Sequence, residues 1–338
     1  MNKRTFLNAT LSLIGVWFCL TSSAQSSPTL GTPTTQIVTA ANAFLAILDD
    51  SQRGKVRFEF NDAAQRTRWS NLPVNMVERR GLRMGDLKQS QRDAVMHLLA
   101  TALSKMGYEK VIGIVESDEA LRRDSRTGAP AFGRDEFFIS FMGKPSATEP
   151  WMIQFGGHHL GLNITIASEQ GILTPSLIAV QPAQFTLDGK TYRPMGRETD
   201  KALELVKALT DEQRQQAILG SQMRDLVLGP GHDGETIQPE GLKASELNEA
   251  QRKLLLELVA EWSGIIHDTA AAGKLSEIKA NLADTWFAWS GPLEAGKAYF
   301  RVQGPTVIIE FAPQRSEMHI HSMYRDPTND YGRKFTAR

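Results

Sequence analysis

The chain has 338 residues, with 38 Lys and Arg against 38 Asp and Glu, 41% hydrophobic residues, 22% charged residues and one cysteine. The balance of charge argues against a nucleic-acid partner held by a broad basic field. No run is long and apolar enough to predict a membrane-spanning helix, so the expected partner is a small molecule or polymer met in water.

Residues 1–24, ending TSSA, read as a secretory signal peptide. Lys3 and Arg4 form its positive start, Leu11 to Leu20 a short apolar stretch, and Ser22 and Ala24 the small residues that precede a cleavage site. The expected location is periplasmic or secreted. Cys19 lies inside the apolar stretch, behind Val16, Trp17 and Phe18, which are too large for a lipoprotein cleavage box. Cleavage leaves a chain without cysteine, which excludes disulfides, thiolate metal sites and cysteine nucleophiles from the mature protein. It also removes two basic residues from the balance of 38 and 38, leaving net −2.

After a linker at 25–35, the pattern Leu-x-x-x-Gln-Arg occurs four times: LDDSQR from Leu48, LKQSQR from Leu87, LTDEQR from Leu209 and LNEAQR from Leu247. GLRMGDL (Gly81 to Leu87) and GLKASEL (Gly241 to Leu247) lead into the second and fourth copies. Asp49, Thr210 and Asn248 are good helix N-caps, with Gln52, Gln213 and Gln251 three residues on, as in a capping box. Lys88 is a poor cap, so the spacing predicts that this copy starts at Asp86. Helical periodicity follows at Val95, Leu98, Leu99 and Leu103, and again at Leu254, Leu255, Leu258 and Val259.

Each run of helices gives way to aromatic and β-branched segments broken by Gly and Pro. In the first half these are EFFISFMGKP and PWMIQFGGHHLGLNITI; in the second, DTWFAWSGP, AYFRVQGP, TVIIEFAPQ and EMHIHSMYRDP. The expected fold is α+β. It consists of two sequence-related halves, 36–190 and 197–338, each helices followed by an antiparallel meander, packed about a pseudo-twofold.

Four of the seven histidines fall in two of these β segments. His319 and His321, two apart, share a strand face with Ile320 opposite. His158 and His159 face opposite sides of a regular strand, so one of them is expected to join a shared site unless Gly156 and Gly157 bring a bulge or a close backbone approach. His97 and His267 lie in helical sequence and His232 in the loop PGHDGE. Neutral imidazoles in this number suit a divalent transition metal, zinc or copper, with His158, His159, His319 and His321 as candidate ligands. Glu310 is a candidate fourth ligand or general base and Arg325 a candidate charge stabiliser. Asn163, Asp326, Asp330 and Tyr331 are candidate outer partners of the imidazoles, and Tyr324 can donate a proton or stack on a ligand. The alternative is a purely structural clasp, in which these carboxylates and Arg325 hydrogen-bond the histidines.

The segments WMIQFGGHHLGLNIT and EMHIHSMYRDPTNDYG, with AWSGP and GPTVIIEF, resemble the bacterial and fungal family catalogued as domain of unknown function 3500. The resemblance covers nearly all of the chain after residue 24. It implies an exported protein and supplies no reaction. Many members carry a further histidine after Asp-Tyr-Gly, where this chain has RKFTAR. Two functions are therefore expected: an exported metal-dependent hydrolase or oxidase, or a non-catalytic periplasmic binding or metal-handling protein.

Overall fold

The repeated Leu-x-x-x-Gln-Arg motif acts as a helix start in a computed structural model that describes residues 31–125 and 131–335. The signal-peptide expectation for residues 1–24 lies outside the described residues. The linker ends sooner than expected, because Thr32 caps a helix that begins at Pro33. Gln52 and Gln213 reach back to the Asp49 and Thr210 amides, while the Asp49 and Thr210 side chains accept from the Gln52 and Gln213 amides. The copy at Leu87 corrects the expected start. Its helix is capped at Lys88, whose amide donates to Gln91, and Asp86 belongs to the short 3-10 turn before it.

The motif glutamines have a second role. Gln52 pairs reciprocally with Gln91 through the side-chain amides at 3.3 and 2.8 Å, and Gln213 pairs with Gln251 at 3.1 and 2.7 Å. The motif arginines tie back to carbonyls of the preceding turn, Arg92 to Leu87 and Gly85, Arg252 to Ala244 and Ser245. Each copy thus satisfies groups that a helix start leaves unpaired.

From Thr32 onward the chain clusters as one compact unit. The first run of helices is α1 (Pro33–Ala46), α2 (Asp50–Val56), α3 (Ala63–Arg66), α4 (Gln89–Ala102) and α5 (Lys105–Asp124). The second is α6 (Gly196–Ala208), α7 (Asp211–Ala217), α8 (Glu249–Ser263) and α9 (Asp268–Ala280). Among the described residues, no helix is long and apolar enough to cross a membrane.

The strands in chain order are β1 (Arg57–Phe58), β2 (Leu82–Arg83), β3 (Phe138–Met142), β4 (Trp151–Gly157), β5 (Leu160–Ala167), β6 (Gln170–Ile172) and β7 (Ser176–Val180). Then follow β8 (Phe185–Leu187), β9 (Lys190–Tyr192), β10 (Leu242–Lys243), β11 (Trp286–Ser290), β12 (Tyr299–Gly304), β13 (Val307–Pro313) and β14 (Ile320–Arg325). Apart from the β8–β9 hairpin they form one twelve-stranded sheet, antiparallel except for β1 on β3. Its central order is β3-β4-β5-β7-β14-β13-β12-β11, so the strands that follow each run of helices meet at β7 and β14.

The two faces of the sheet have different cover. Side chains such as Phe155, Ile164, Phe300 and Tyr324 join the main core with Phe44, Leu99, Leu258 and Trp262 of the helices. The other face carries Met152, Leu177, Ala179 and Met323 and packs under the loop residues Trp69, Leu226 and Tyr331. Along β14 the period of two sends Ile320, Ser322 and Tyr324 towards the helices, where Trp262 donates to Ser322 at 2.8 Å. His321, Met323 and Arg325 take the loop-covered face. Gly161 on that face is required by close approach, since a Cβ there would lie 2.6 Å from the Trp69 ring.

Candidate metal centre

The β4–β5 hairpin closes through two residues, His158 and His159, with Gly157 paired to Leu160 and Gly156 to Gly161. The glycines make a close backbone approach, not a bulge: a Cβ on Gly156 would lie 2.3 Å from the Leu160 carbonyl. His159 has φ 62, a left-handed turn conformation uncommon for a side-chain-bearing residue. Its backbone is fixed on both sides, the amide donating to Asn71 O at 3.3 Å and the carbonyl accepting from Ala179 N at 2.9 Å. Ala179 on β7 is the cross-strand neighbour of His321 on β14. The three residues therefore lie in a row, and the two imidazoles meet over the small Ala179 with their ring centroids 5.3 Å apart.

His319 completes the group from the residue just before β14, held by its carbonyl, which accepts from Gln314 N at 2.6 Å. His319 Nε2 lies 3.0 Å from His159 Nε2 and 3.0 Å from His321 Nε2. Ligand atoms of the three residues all fall within 4.8 Å of one another. His159 and His321 are buried and His319 is partly so.

An imidazole nitrogen has either one proton or one in-plane lone pair. His319 Nε2 can therefore satisfy one of its two contacts as a hydrogen bond and not the other, and an unmet polar group at this depth costs about 1–3 kcal/mol. A cation that accepts all three lone pairs removes the conflict. Three histidines are thus positioned to bind a metal ion.

His158 is expected among the ligands but stands beside the group, not in it. Its ring stacks on His159 at 3.7 Å between centroids and meets the Phe132 ring at a tilt, 4.8 Å between centroids. Its Nδ1 lies 2.6 Å from Asp118 Oδ1 of α5. Asp118 Oδ2 in turn accepts from Gly133 N at 2.7 Å. Arg79 packs the 68–80 loop onto the hairpin by donating to Gly157 O, Ser70 O and Leu72 O. Burial lowers the Arg79 pKa to about 10, against the opposing charge of Asp118.

The carboxylate nearest His321 is also one that the sequence reading passes over. Asp225 Oδ1 lies 3.5 Å from His321 Nδ1, too long and poorly aligned for a hydrogen bond. Although burial opposes it, the contact with His321 and the Leu226 amide hold the Asp225 carboxyl below its usual range. The Asp225 loop is itself fastened by Glu310, the expected fourth ligand or base. Glu310 Oε1 accepts from Val227 N at 2.8 Å and Tyr299 Oη at 2.8 Å, and Oε2 from Leu228 N at 2.7 Å. It lies on the histidine face of the sheet, but both its oxygens are engaged in holding the loop.

The remaining candidates are brought together elsewhere. Arg325 is four residues along β14 from His321, about 13 Å at strand rise. It donates to Leu228 O, Gly229 O, Asp233 Oδ1 and Asp330 Oδ2 at 2.8–3.1 Å. Tyr331 donates to Asp233 Oδ1 and accepts from Trp69 Nε1. Asp326 takes Lys274 of α9 at 2.6 Å, and Asn163 bonds Gln154 and Pro175 O. Tyr324 lies on the helix-covered face, opposite His321. The stretch after Met323 is therefore a clasp that holds the GPGHDG loop, and orients no imidazole. Elsewhere, His267 caps α9 and His232 pairs with Glu235 at the surface.

The model of the family described as "Protein of unknown function (DUF3500)" matches residues 30–333. The chain belongs to that family. No curated protein and no solved structure matches this DUF3500 chain.

Burial, reinforced by the neighbouring imidazoles, depresses both hub histidines, His319 to about 4 and His159 well below its ordinary value. A depressed histidine binds fewer protons folded than unfolded, so its contribution is complete above about pH 6.5 and is lost as pH falls through the folded value. Stability of the metal-free DUF3500 chain against urea is expected to fall steadily from about pH 6.5 to about 4. His319→Ala should flatten that slope.

Proposed function

We propose that the protein is an exported enzyme that works with a divalent transition metal, zinc or copper, held by His159, His319 and His321. The observation that carries this reading is the double 3.0 Å contact at His319 Nε2, which one proton or one lone pair cannot satisfy. Three nitrogen ligands from the protein leave a coordination position for water or substrate, the pattern of catalytic rather than structural zinc sites. When bound, the metal would polarise a water for hydrolysis or, if copper, engage dioxygen. The protein's part is to fix the imidazoles: Ala179 N holds the His159 turn, Gln314 N holds His319, and Asp225 faces His321.

The two oxygens of Glu310 are spent on the Val227 and Leu228 amides, which favours a second reading, a metal-handling protein without turnover. Release of product by the metal-loaded chain from an ester, amide or phenol panel, abolished by a chelator, supports the enzyme. Tight metal binding with no turnover of any of them supports the second reading.

Membership of the metal set is tested by His158→Gln. Its ring belongs with Asp118, so the variant is expected to keep about one metal per chain while His159→Ala loses it. Equal loss in both would place His158 among the ligands. Export rests on Lys3, Arg4, the apolar stretch and Ser22 with Ala24. Protein recovered from the periplasm or medium should begin at Gln25, and a cytoplasmic chain that keeps Met1 would contradict export.

A further inference from the structure

A cleft of about 640 Å³ shares a wall with the histidine group, and we infer that it binds a carboxylate carried by the substrate of that centre. The inference rests on the metal reading and adds the substrate class. The cleft is lined by the loop that carries Arg224 and Asp225, the turn after β11, and the β13–β14 turn through Arg315 to Glu317. Asp225 belongs to both places, since it lines the cleft and faces His321 at 3.5 Å. The β13–β14 turn runs directly into His319. The imidazoles themselves do not line the cleft, and Asp225 and the turn into His319 are what connect the two places.

Arg224 and Arg315 set the chemistry. Most guanidiniums in the protein have carboxylate or carbonyl partners, as in Arg134 with Glu116 and Arg193 with Asp200. Among the described residues, the side chains of Arg224 and Arg315 have neither. The third cation, Lys297, is taken by Glu294 at 2.7 Å, and the Glu317 charge also falls on it.

The backbones behind the two arginines are fixed relative to each other. Gln314 Nε2 donates to Asp225 Oδ1 at 2.7 Å, joining the two turns. Met223 N donates to Ser290 Oγ at 3.0 Å, and Glu310 holds Val227 and Leu228 beyond. Arg315 itself sits at φ 64, where glycine is the usual occupant. Two unpaired guanidiniums on a braced rim suit a planar carboxylate, which each can grip in bidentate fashion. With Asp225 and Glu317 also on that rim, a singly charged carboxylate matches the local charge better than a phosphate dianion.

The test uses the full mature chain loaded with zinc and two hydroxamate series of three to six carbons. One series ends in a carboxylate (succinic monohydroxamate and its homologues) and the other in a methyl group (butyrohydroxamate and its homologues). Calorimetric titration should show the carboxylate series binding about ten-fold tighter at its best length, as a charge-assisted contact allows. Arg315→Gln with Arg224→Gln should erase that preference and leave zinc stoichiometry and methyl-series affinity unchanged. Equal affinity of the two series at every length overturns the inference, as does a preference that survives both substitutions or a zinc-loaded chain that binds neither series. Failure of the chain to take up zinc at all overturns the metal reading instead.

Discussion

His321→Ala is expected to reduce metal affinity by at least about 100-fold, since even outer partners of metal ligands are worth 10–100-fold. The wild-type chain at saturating zinc should be stabilised by about 4 kcal/mol when the free metal is near 1,000 times its Kd. For a chain of this length that corresponds to a rise in melting temperature on the order of 6 °C. In the variant, at the same free zinc, a loss of about 100-fold leaves a gain of about 1.4 kcal/mol, so the rise should fall to about a third or less. The metal-free melting temperature should change little, because the side chain removed leaves the crowded nitrogen cluster, not the apolar core. Differential scanning fluorimetry with and without a chelator reads both. A wild-type melting temperature that ignores zinc and chelator alike would make the cluster a clasp of water and carboxylates.

Arg325→Ala should do the opposite. It removes a guanidinium that is 2% exposed and takes one donor each from Asp233, Asp330 and the Leu228 and Gly229 carbonyls, leaving the two carboxylates only the Tyr331 hydroxyl and the Asp326 amide. Breaking a buried ion pair from one side costs about 3–5 kcal/mol, and urea unfolding should show a loss of that size. Zinc stoichiometry at saturation should stay near that of the wild type, because Arg325 touches none of the three imidazoles' partners. A variant that unfolds normally but fails to hold zinc would return Arg325 to the site.

The contrast between these two residues shows what a single sequence reveals here. His319 and His321 were legible as a pair because strand periodicity is local, even though β14 begins only at Ile320. The choice between His158 and His159 was not. It depends on the hairpin closing with exactly those two residues, and on a left-handed φ at the second. Asp118 and Asp225 were passed over for the same kind of reason. Each reaches an imidazole only after a helix or loop has packed on the sheet, and neither sits at a spacing that marks a ligand. The segment SLIAV between Pro175 and Pro182 did carry a signal, a β-branched apolar run bounded by prolines. It forms β7, the strand that sets the separation between His159 and His321. The Gln-Arg motif was legible as helix starts, because capping is local. The reciprocal pairing of Gln52 with Gln91 and Gln213 with Gln251 needed the packed helices.

The central claim is that His159, His319 and His321 hold one metal ion, and an anomalous difference map from crystals of zinc-loaded mature protein, recorded across the zinc edge, tests it most directly. The account predicts one peak about 2.0–2.1 Å from a ring nitrogen of each of the three histidines, with His158 still on Asp118. Zinc-loaded crystals with no peak among those imidazoles, or with a peak ligated by His158, would contradict it.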